Sequence, residues 1–226
     1  MPTTLQPFAQ INDRNVNELL IQQQISRLGV IAPLSVHVDG QLFQREIQQF
    51  NSEWKIYNPR KPGYGRMGLS LTSLDGGMSG APDLDSIFEF NRINGTNYTE
   101  EDFKIPTAAA ERLTSLHPIL KMFSELGRSH LIRFDRGGYF PPHRDAFSLS
   151  HSCFRVVVAL SWASRSELVF LVDGQQQPLS QWQGAFVETL REHAVFSFAD
   201  GATLLVLNVP YTVENYQALI LNLQIK

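Results

Sequence analysis

The chain contains one cysteine, Cys153, among its 226 residues. An internal disulfide is therefore excluded. No apolar run approaches the roughly 18 to 20 residues that a membrane-spanning helix requires, and the nearest is residues 202–209. The first residues also lack the basic and apolar blocks of a secretory signal. These absences predict a cytoplasmic protein that does not enter a membrane.

Concentrations of charge are also missing. The formal net charge is -3, and no segment is rich in lysine or arginine. A basic surface is the usual signature of nucleic-acid or membrane-surface binding, so neither partner is expected. Glycine-rich phosphate loops are absent too. We expect a small-molecule or peptide substrate as the partner, and the sequence makes no prediction of oligomeric state.

The composition is that of a folded protein. Hydrophobic residues make up 43% of the chain and include 15 phenylalanines, whereas charged residues make up 18%. This length and composition suit one domain over residues 1–226, because single β-barrels often reach this size. Within it, we predict a helical and loop-rich part at residues 1–128 and a β-barrel core at residues 129–226.

The first part of the chain contains several helical patterns and one long loop region. Helices are predicted at residues 12–29 and 44–50, and two short ones at residues 107–126. Residues 58–106 are rich in glycine, proline and asparagine, and one apolar segment at residues 67–74 interrupts them. This region is either a cover for a substrate site or a surface excursion, and both interpretations stay open.

From residue 129 onward the pattern changes to short strands separated by turn signals. The predicted strands are residues 129–134, 140–145, 154–162, 167–172, 185–190, 193–198, 202–209 and 216–225. This number of strands is typical of a small barrel or jelly roll. The fold class predicted is therefore mainly β, with N-terminal helices.

His143 and Asp145 are the first candidates for a functional site. Residues two apart in a strand point to the same face, so this imidazole and this carboxylate would lie side by side inside the barrel. Such a pair, completed by a second histidine from a distant strand, forms the facial triad of non-haem iron(II) sites. A His-x-Asp pair alone also arises by chance, and the Gly137-Gly138 turn and the following strand strengthen the interpretation.

Arg155 stands near the start of the apolar run 154–160. A buried arginine is costly unless it meets an anion. The anion would be a dicarboxylate cosubstrate, an acidic substrate or a carboxylate of the protein itself. A position at the rim of the barrel is equally open.

Residues 133–160 and 192–223 resemble the aspartyl/asparaginyl β-hydroxylase and proline hydroxylase-like branch of the iron(II)/2-oxoglutarate oxygenases. The resemblance is carried by the run from Arg133 through Gly137-Gly138 to His143-Arg144-Asp145, followed by the strand with Arg155. It implies a double-stranded β-helix, which is the cupin-like jelly roll, with Fe(II) and 2-oxoglutarate as cofactors. It also implies that His143 and Asp145 ligate iron and that Arg155 or Arg133 binds the cosubstrate. The implied activity is hydroxylation of an amino acid or of a peptidyl Asp, Asn or Pro side chain.

The chain departs from this family at two positions. Matching residues 203–208 to the family's distal segment puts Leu204 where the second histidine belongs, and leucine cannot ligate iron. Tyr216 or Gln217 stands where the cosubstrate arginine is expected. The third metal ligand is therefore not identified by this alignment.

Three explanations remain open. In the first, another histidine completes the site, with His193 the first choice and His151 the second. In the second, two protein ligands suffice to bind the metal. In the third, the barrel has lost its catalytic activity and binds a small acidic ligand or a protein partner. Strand phase argues against His193. If Ala194, Phe196 and Phe198 form the apolar face of their strand, His193 points to solvent.

Overall fold

The computed structural model describes residues 13–145, 153–161, 163, 164 and 166–224. The prediction that His151 is an alternative ligand lies outside these residues, as does the Trp162 end of the strand predicted at 154–162.

The helices are short and lie mostly before the large block of strands. Side chains cap several of them: the Asp39 carboxylate accepts from the Leu42 amide at 2.9 Å at one N-terminus, and Thr212 accepts from Asn215 at another. The α-helices are α1 (Asp13–Ile25), α2 (Gly40–Glu46), α3 (Ile87–Asn94), α4 (Ala108–Arg112), α5 (His117–Leu120) and α6 (Val213–Leu221).

The strands form two facing sheets and a small third one. They are β1 (Ile31–His37), β2 (Lys55–Ile56), β3 (Arg66–Ser70), β4 (Thr72–Ser73), β5 (Ile105–Pro106), β6 (His130–Phe134), β7 (Tyr139–His143), β8 (Cys153–Ala159), β9 (Leu168–Val172), β10 (Gln175–Gln176), β11 (Gln183–Val187), β12 (His193–Ser197) and β13 (Ala202–Pro210).

The order of the strands defines the architecture. The large sheet has seven strands in the order β1-β11-β8-β13-β6-β3-β2, the second sheet has four in the order β10-β9-β12-β7, and β4 pairs with β5. All these pairings are antiparallel, and successive strands from β6 onward alternate between the two larger sheets, except that β9 and β10 pair with each other in the smaller one. This is the double-stranded β-helix, a mainly β, cupin-like jelly roll, and it confirms the predicted fold class.

Both faces of the large sheet are buried, and its alternating side chains enter two different cores. Leu131, Val158 and Leu205 face the helices, in a core that also contains Ile25 and Leu219. The side chains between them face the four-stranded sheet and form the barrel interior, which includes Ile132, Val157, Phe170, Val195 and Leu204. Strands buried on both faces show weak polar–apolar alternation, because neither side meets water.

The structure corrects parts of the expected organisation. Strands β1 and β3 lie within the part predicted to be helical and loop-rich, and both belong to the large sheet, so this sheet begins well before residue 129. The prediction of a loop region at residues 58–106 is also wrong in part, because this region contains the helix α3. The strand predicted at residues 216–225 is wrong, because most of this segment belongs to α6. The capping threonine before this helix, Thr212, was the signal for a helix start.

In the described part of the chain, no helix combines the length and apolarity needed to cross a membrane.

Candidate metal centre

Three side chains from two neighbouring strands of the four-stranded sheet converge inside the barrel. His143 ends β7, His193 begins β12, and the Cα atoms of these two residues are paired across the sheet. Asp145 follows two residues after His143, and its amide donates to the Thr189 carbonyl at 3.1 Å. The Asp145 Oδ1 atom lies 3.6 Å from Nε2 of His143 and 3.7 Å from Nε2 of His193.

A β-bulge sets the direction of His143. Phe140 is paired with Val195 and His143 with His193, so β7 has one more residue than β12 between these pairs. The extra residue falls at Pro141 or Pro142, which have no amide hydrogen to donate to a ladder. Residues three apart in a regular strand point to opposite faces. The bulge allows the Phe140 and His143 side chains to face the same cavity.

Hydrogen bonds to the backbone fix the orientation of both imidazoles. Nδ1 of His143 donates to the Pro141 carbonyl at 2.7 Å, and Nδ1 of His193 donates to the Arg191 carbonyl at 3.0 Å. A carbonyl only accepts, so Nδ1 carries a hydrogen in both rings, and Nε2 is the nitrogen directed at Asp145. This is the arrangement that orients metal-binding histidines and fixes their tautomer.

The electrostatics of the site favour the protonation states in which Asp145 and His193 can bind a metal. Burial opposes the charge on Asp145, but the Arg155 guanidinium, followed by His193 and His143, lowers the pKa of Asp145 to about 2. Burial lowers the pKa of His193 in spite of the nearby Asp145 carboxylate. At neutral pH the site therefore contains a carboxylate and a neutral His193 imidazole, which are the forms that bind metal.

The prediction that His193 points to solvent is wrong. Its side chain is 8% exposed, and Val195 and Ser197 are buried with it. Phe198, which was assigned to the apolar face, is 55% exposed. The side chains at odd positions in β12 face the barrel interior, so the strand phase is the reverse of the one expected.

Four charged residues, one of which is Asp145 itself, form a largely buried cluster at the site. Nε of Arg155 lies 3.2 Å from Oδ2 of Asp145, and Nη2 of Arg155 lies 3.6 Å from Oε1 of Glu100. Arg128 donates to both Glu100 oxygens, at 2.8 and 3.1 Å. Burial opposes the charge on Glu100, but Arg128 and Arg155 lower the pKa of this carboxyl. Of the interpretations left open for Arg155, the structure shows the ion pair with a protein carboxylate.

The site opens into two connected spaces. The inner cavity has a volume of about 110 Å³ and lies inside the barrel, between the three converging side chains and the apolar wall that includes Ile132, Val157 and Leu204. The outer pocket has a volume of about 420 Å³ and reaches the surface between the segment 57–66, the segment 86–100 and β7. His143, Asp145 and Arg155 line both spaces.

The inner cavity contains polar atoms without partners. Nδ1 of His130 and Oδ1 of Asn208 are buried and accept or donate no hydrogen bond among the described residues. Both residues line this cavity. Buried polar groups are normally satisfied by protein, water or ligand, and a cavity of this size holds more than one water molecule.

The donor set fits a divalent transition metal. The ligating atoms of His143, Asp145 and His193 all lie within 4.8 Å of one another. Ligands at about 2.1 Å from one ion lie ~3 Å apart, so small rotations of the side chains would bring these atoms into coordination. Two imidazoles and one carboxylate, with positions left open, suit non-haem iron(II).

Arg133 and Leu204 lie elsewhere than the family alignment suggested. The Arg133 guanidinium stacks over the Trp54 ring at 4.4 Å, on the helix-facing side of the large sheet, so the prediction that it binds a cosubstrate beside the metal is wrong. Leu204 is paired with Ile132 and Ala159 on β13 and packs in the barrel interior. The strand that pairs with β7 is β12, which begins at His193, and the alignment was therefore placed one strand too late.

Sequence reasoning missed Glu100, Arg128 and Asn208. Asn208 Nδ2 donates to Glu100 at 2.7 Å and also contacts the Arg128 carbonyl. Arg128 precedes β6 in the same way that Arg155 stands near the start of β8, so an arginine at the entrance of an apolar strand was an available signal. Glu100 begins a short 3-10 helix, Glu100–Asp102, in the N-terminal half, and no local pattern distinguishes it from its neighbour Glu101.

No family model matches the chain, and no curated protein matches it. Solved structures do resemble it. A 2OG-Fe(II) oxygenase family oxidoreductase from Burkholderia pseudomallei is 14% identical over 87% of this chain and 93% of that chain, with a TM-score of 0.47. A prolyl hydroxylase from Trichoplax adhaerens is 10% identical over 95% and 99%, with a TM-score of 0.46.

KdgF from Halomonas sp. is 15% identical over 36% of this chain and 66% of that chain, with a TM-score of 0.29. This match therefore spans just under two thirds of its relative. At such identities and scores these likenesses carry no argument about chemistry, which rests on the site itself.

Proposed function

We propose that this protein is an iron(II)- and 2-oxoglutarate-dependent oxygenase that hydroxylates an amino acid or a peptidyl Asp, Asn or Pro side chain. The observation that carries the proposal is the convergence of Nε2 of His143, Nε2 of His193 and Oδ1 of Asp145 at the junction of two cavities. When bound, iron(II) and 2-oxoglutarate would supply the oxidising power that places one oxygen atom of dioxygen in a C–H bond, while the cosubstrate becomes succinate and carbon dioxide.

Each residue of the site has a distinct role in this proposal. His143, His193 and Asp145 would hold the metal. Arg155 orients Asp145 through its second carboxylate oxygen, so that Oδ1 is directed at the two imidazoles. The apolar wall that includes Leu204 limits the water that can enter the inner cavity.

The charge of the buried cluster supports a dianionic cosubstrate. Arg128 and Arg155 carry two positive charges, and Glu100 and Asp145 carry two negative ones, so the four groups together are neutral. A divalent cation would leave two uncompensated positive charges in a poorly solvated space. A dianion such as 2-oxoglutarate would restore neutrality.

The test measures succinate released from 2-oxoglutarate by the purified protein under air, with and without iron(II). Uncoupled turnover does not require the true substrate to be known. We expect iron-dependent succinate from the wild-type protein and at least a 100-fold loss in His143→Ala, because removing a ligand harms a metal site more than removing an outer partner, whose loss costs about 10–100-fold.

His37→Ala is the matched control, because this exposed histidine ends the edge strand β1. It should keep the wild-type rate. Iron binding without succinate would contradict the oxygenase and leave a metal-binding barrel. Equal succinate from wild-type protein and His143→Ala would assign the activity to free iron.

A further inference from the structure

The outer pocket contains a buried arginine without an anionic partner. Arg66, the first residue of β3, is 5% exposed and lines the pocket. Its guanidinium carbon lies 3.9 Å from the centre of the Phe140 ring, 4.9 Å from that of Tyr64 and 5.1 Å from that of Tyr57. The three rings hold the guanidinium in place through cation–π contacts.

Within the described residues, no carboxylate reaches Arg66, and its Nε–H donates to no acceptor. Burial lowers the pKa of this guanidinium, and only tyrosines oppose that effect. A buried cation without an anion is costly, and an unused donor adds to the cost. The rings offset part of this desolvation, but they provide no acceptor for the unused N–H.

Other arginines around the same pocket are paired. Arg60 binds Asp85, Arg128 binds Glu100, and Arg155 binds Asp145. The fold therefore has acidic side chains available here, and it leaves Arg66 without one. A guanidinium held rigid by aromatic rings and free of internal partners is arranged to receive an external anion.

Arg66 is linked to the metal centre by one side chain. The Phe140 ring that contacts Arg66 also stacks on the His143 imidazole, with ring centres 6.0 Å apart. His143 and Asp145 line the same pocket as Arg66. A molecule bound to Arg66 therefore occupies a space that continues to His143 and Asp145, two of the three converging side chains.

We propose that Arg66 binds the carboxylate of the substrate, and that the substrate is an organic acid whose carbon skeleton lies against the rings of Tyr57, Tyr64 and Phe140. The pocket volume of about 420 Å³ lies in the range of small-molecule sites. The assignment of this acid as the molecule that is hydroxylated rests on the proposed function, whereas the anion site itself does not.

The test compares two probes of nearly equal shape, phenylacetate and phenylacetamide, by titration calorimetry on the full-length, metal-free protein. The wild-type protein should bind the acid at least 10-fold more tightly than the amide. Arg66→Met, which keeps an apolar side chain between the rings, should abolish this preference. Arg66→Lys should keep part of it, because lysine retains the charge and loses the planar pair of donors.

Arg133→Met is the matched control, because Arg133 also stacks on an aromatic ring but on the opposite face of the large sheet. It should leave the preference unchanged. Thermal denaturation establishes that each variant is folded, and Arg66→Lys carries the test if Arg66→Met does not fold. Equal binding of acid and amide by the wild-type protein would overturn the proposal, as would a preference that survives in a folded Arg66 variant without loss.

Measurements of metal and cosubstrate binding distinguish the anion site at Arg66 from the proposed oxygenase activity. Cobalt(II) affinity and the binding of 2-oxoglutarate to the cobalt-loaded protein should be the same in wild-type protein and Arg66→Met. Loss of 2-oxoglutarate binding with intact phenylacetate binding would show that Arg66 serves the cosubstrate, which overturns the assignment. An Arg66-dependent preference for phenylacetate without any succinate formation would support the anion site and contradict the oxygenase.

Discussion

Asp83 is a buried carboxyl whose charge is poorly supported. Ser70 Oγ donates to it at 3.3 Å, and Arg128 contacts its backbone carbonyl instead of its carboxylate. Burial, with a smaller contribution from Asp75, raises the pKa of Asp83 to about 6. The folded protein therefore holds this proton more tightly than the unfolded chain, in which the carboxyl has a pKa of about 3.9.

This difference predicts a pH dependence of stability. Below pH 4 the carboxyl is protonated in both states and carries no penalty. As the pH rises through 6, folding must keep an ionised carboxylate buried, and stability is lost. Asp83→Asn removes the titration, so its melting temperature should exceed that of the wild-type protein at pH 7.5, and the gap should shrink toward pH 4.5. Asp200→Asn, at an exposed position, controls for the change in net charge, and a gap independent of pH would contradict the prediction.

At the level of residues, the sequence identified the paired ligands and missed their surroundings. His143, Asp145 and Arg155 could be named because a two-residue spacing and an arginine in an apolar strand are local patterns. Glu100 could not, since it joins the site through a contact with Arg128, 28 positions later in the chain. Contacts over such separations depend on how the strands are ordered, and single-sequence patterns do not contain that order.

The connection between β6 and β7, which passes from one sheet to the other, places His143. Its turn packs against another loop, and a Cβ atom added at Gly138 would lie 2.3 Å from the Gly65 carbonyl oxygen and 2.9 Å from that of Asp135. Backbone atoms cannot move aside as the end of a flexible side chain can. The glycine therefore permits an approach that fixes the position of β7.

Gly138→Ala should destabilise the protein by about 1–3 kcal/mol, because an added methyl group in a packed region forces the backbone to shift, and such shifts typically cost this much free energy. One kcal/mol lowers the melting temperature of a chain of this size by about 2–4 °C. Because β7 ends at His143, the folded variant should also bind cobalt(II) more weakly than the wild-type protein. Gly63→Ala is the control, since a Cβ there meets no atom within 4 Å. Equal melting temperatures for Gly138→Ala and Gly63→Ala would refute the role of this contact.

Predictions of secondary structure and of strand orientation failed where the apolar residues did not show which face of a helix or strand is buried. The apolar segment around Leu219 in α6 is too short to distinguish the periodicity of a helix from that of a strand. The N-terminal cap at Thr212 is the feature that indicates a helix. In β12, Ala194 and Val195 are both buried, so apolarity alone did not reveal which side faces the cavity. The register settles it, because His193 is paired with His143 and Val172, and directly paired residues share one face of a sheet.

For the molecule as a whole, ligand binding and unfolding are linked. A ligand that binds only the folded state raises stability by about 2.7 kcal/mol at 100 times its Kd. For a chain of this size that corresponds to roughly 5–11 °C in melting temperature. Anaerobic iron(II) together with 2-oxoglutarate should produce a rise of this order in the wild-type protein, and a much smaller one in His193→Ala. No rise with either ligand would favour a barrel that has lost its chemistry.

The fold class followed from the sequence, because about eight short segments with turn signals leave few alternatives to a barrel or jelly roll. The contribution of the N-terminal half did not follow. Strand β3 is interrupted by Gly68, whose added Cβ would lie 2.8 Å from a Leu84 methyl, and it precedes a long loop. Its place in the large sheet depends on pairing with β6, about 60 residues later.

The neutrality of the four-residue cluster has a kinetic consequence. Before a cation arrives, each arginine is already compensated by a carboxylate, so an incoming dicarboxylate meets no net attraction there. Once the cation is in place, the same walls attract a doubly charged partner. The cluster would therefore favour binding of the cation before the dicarboxylate, and release in the reverse order.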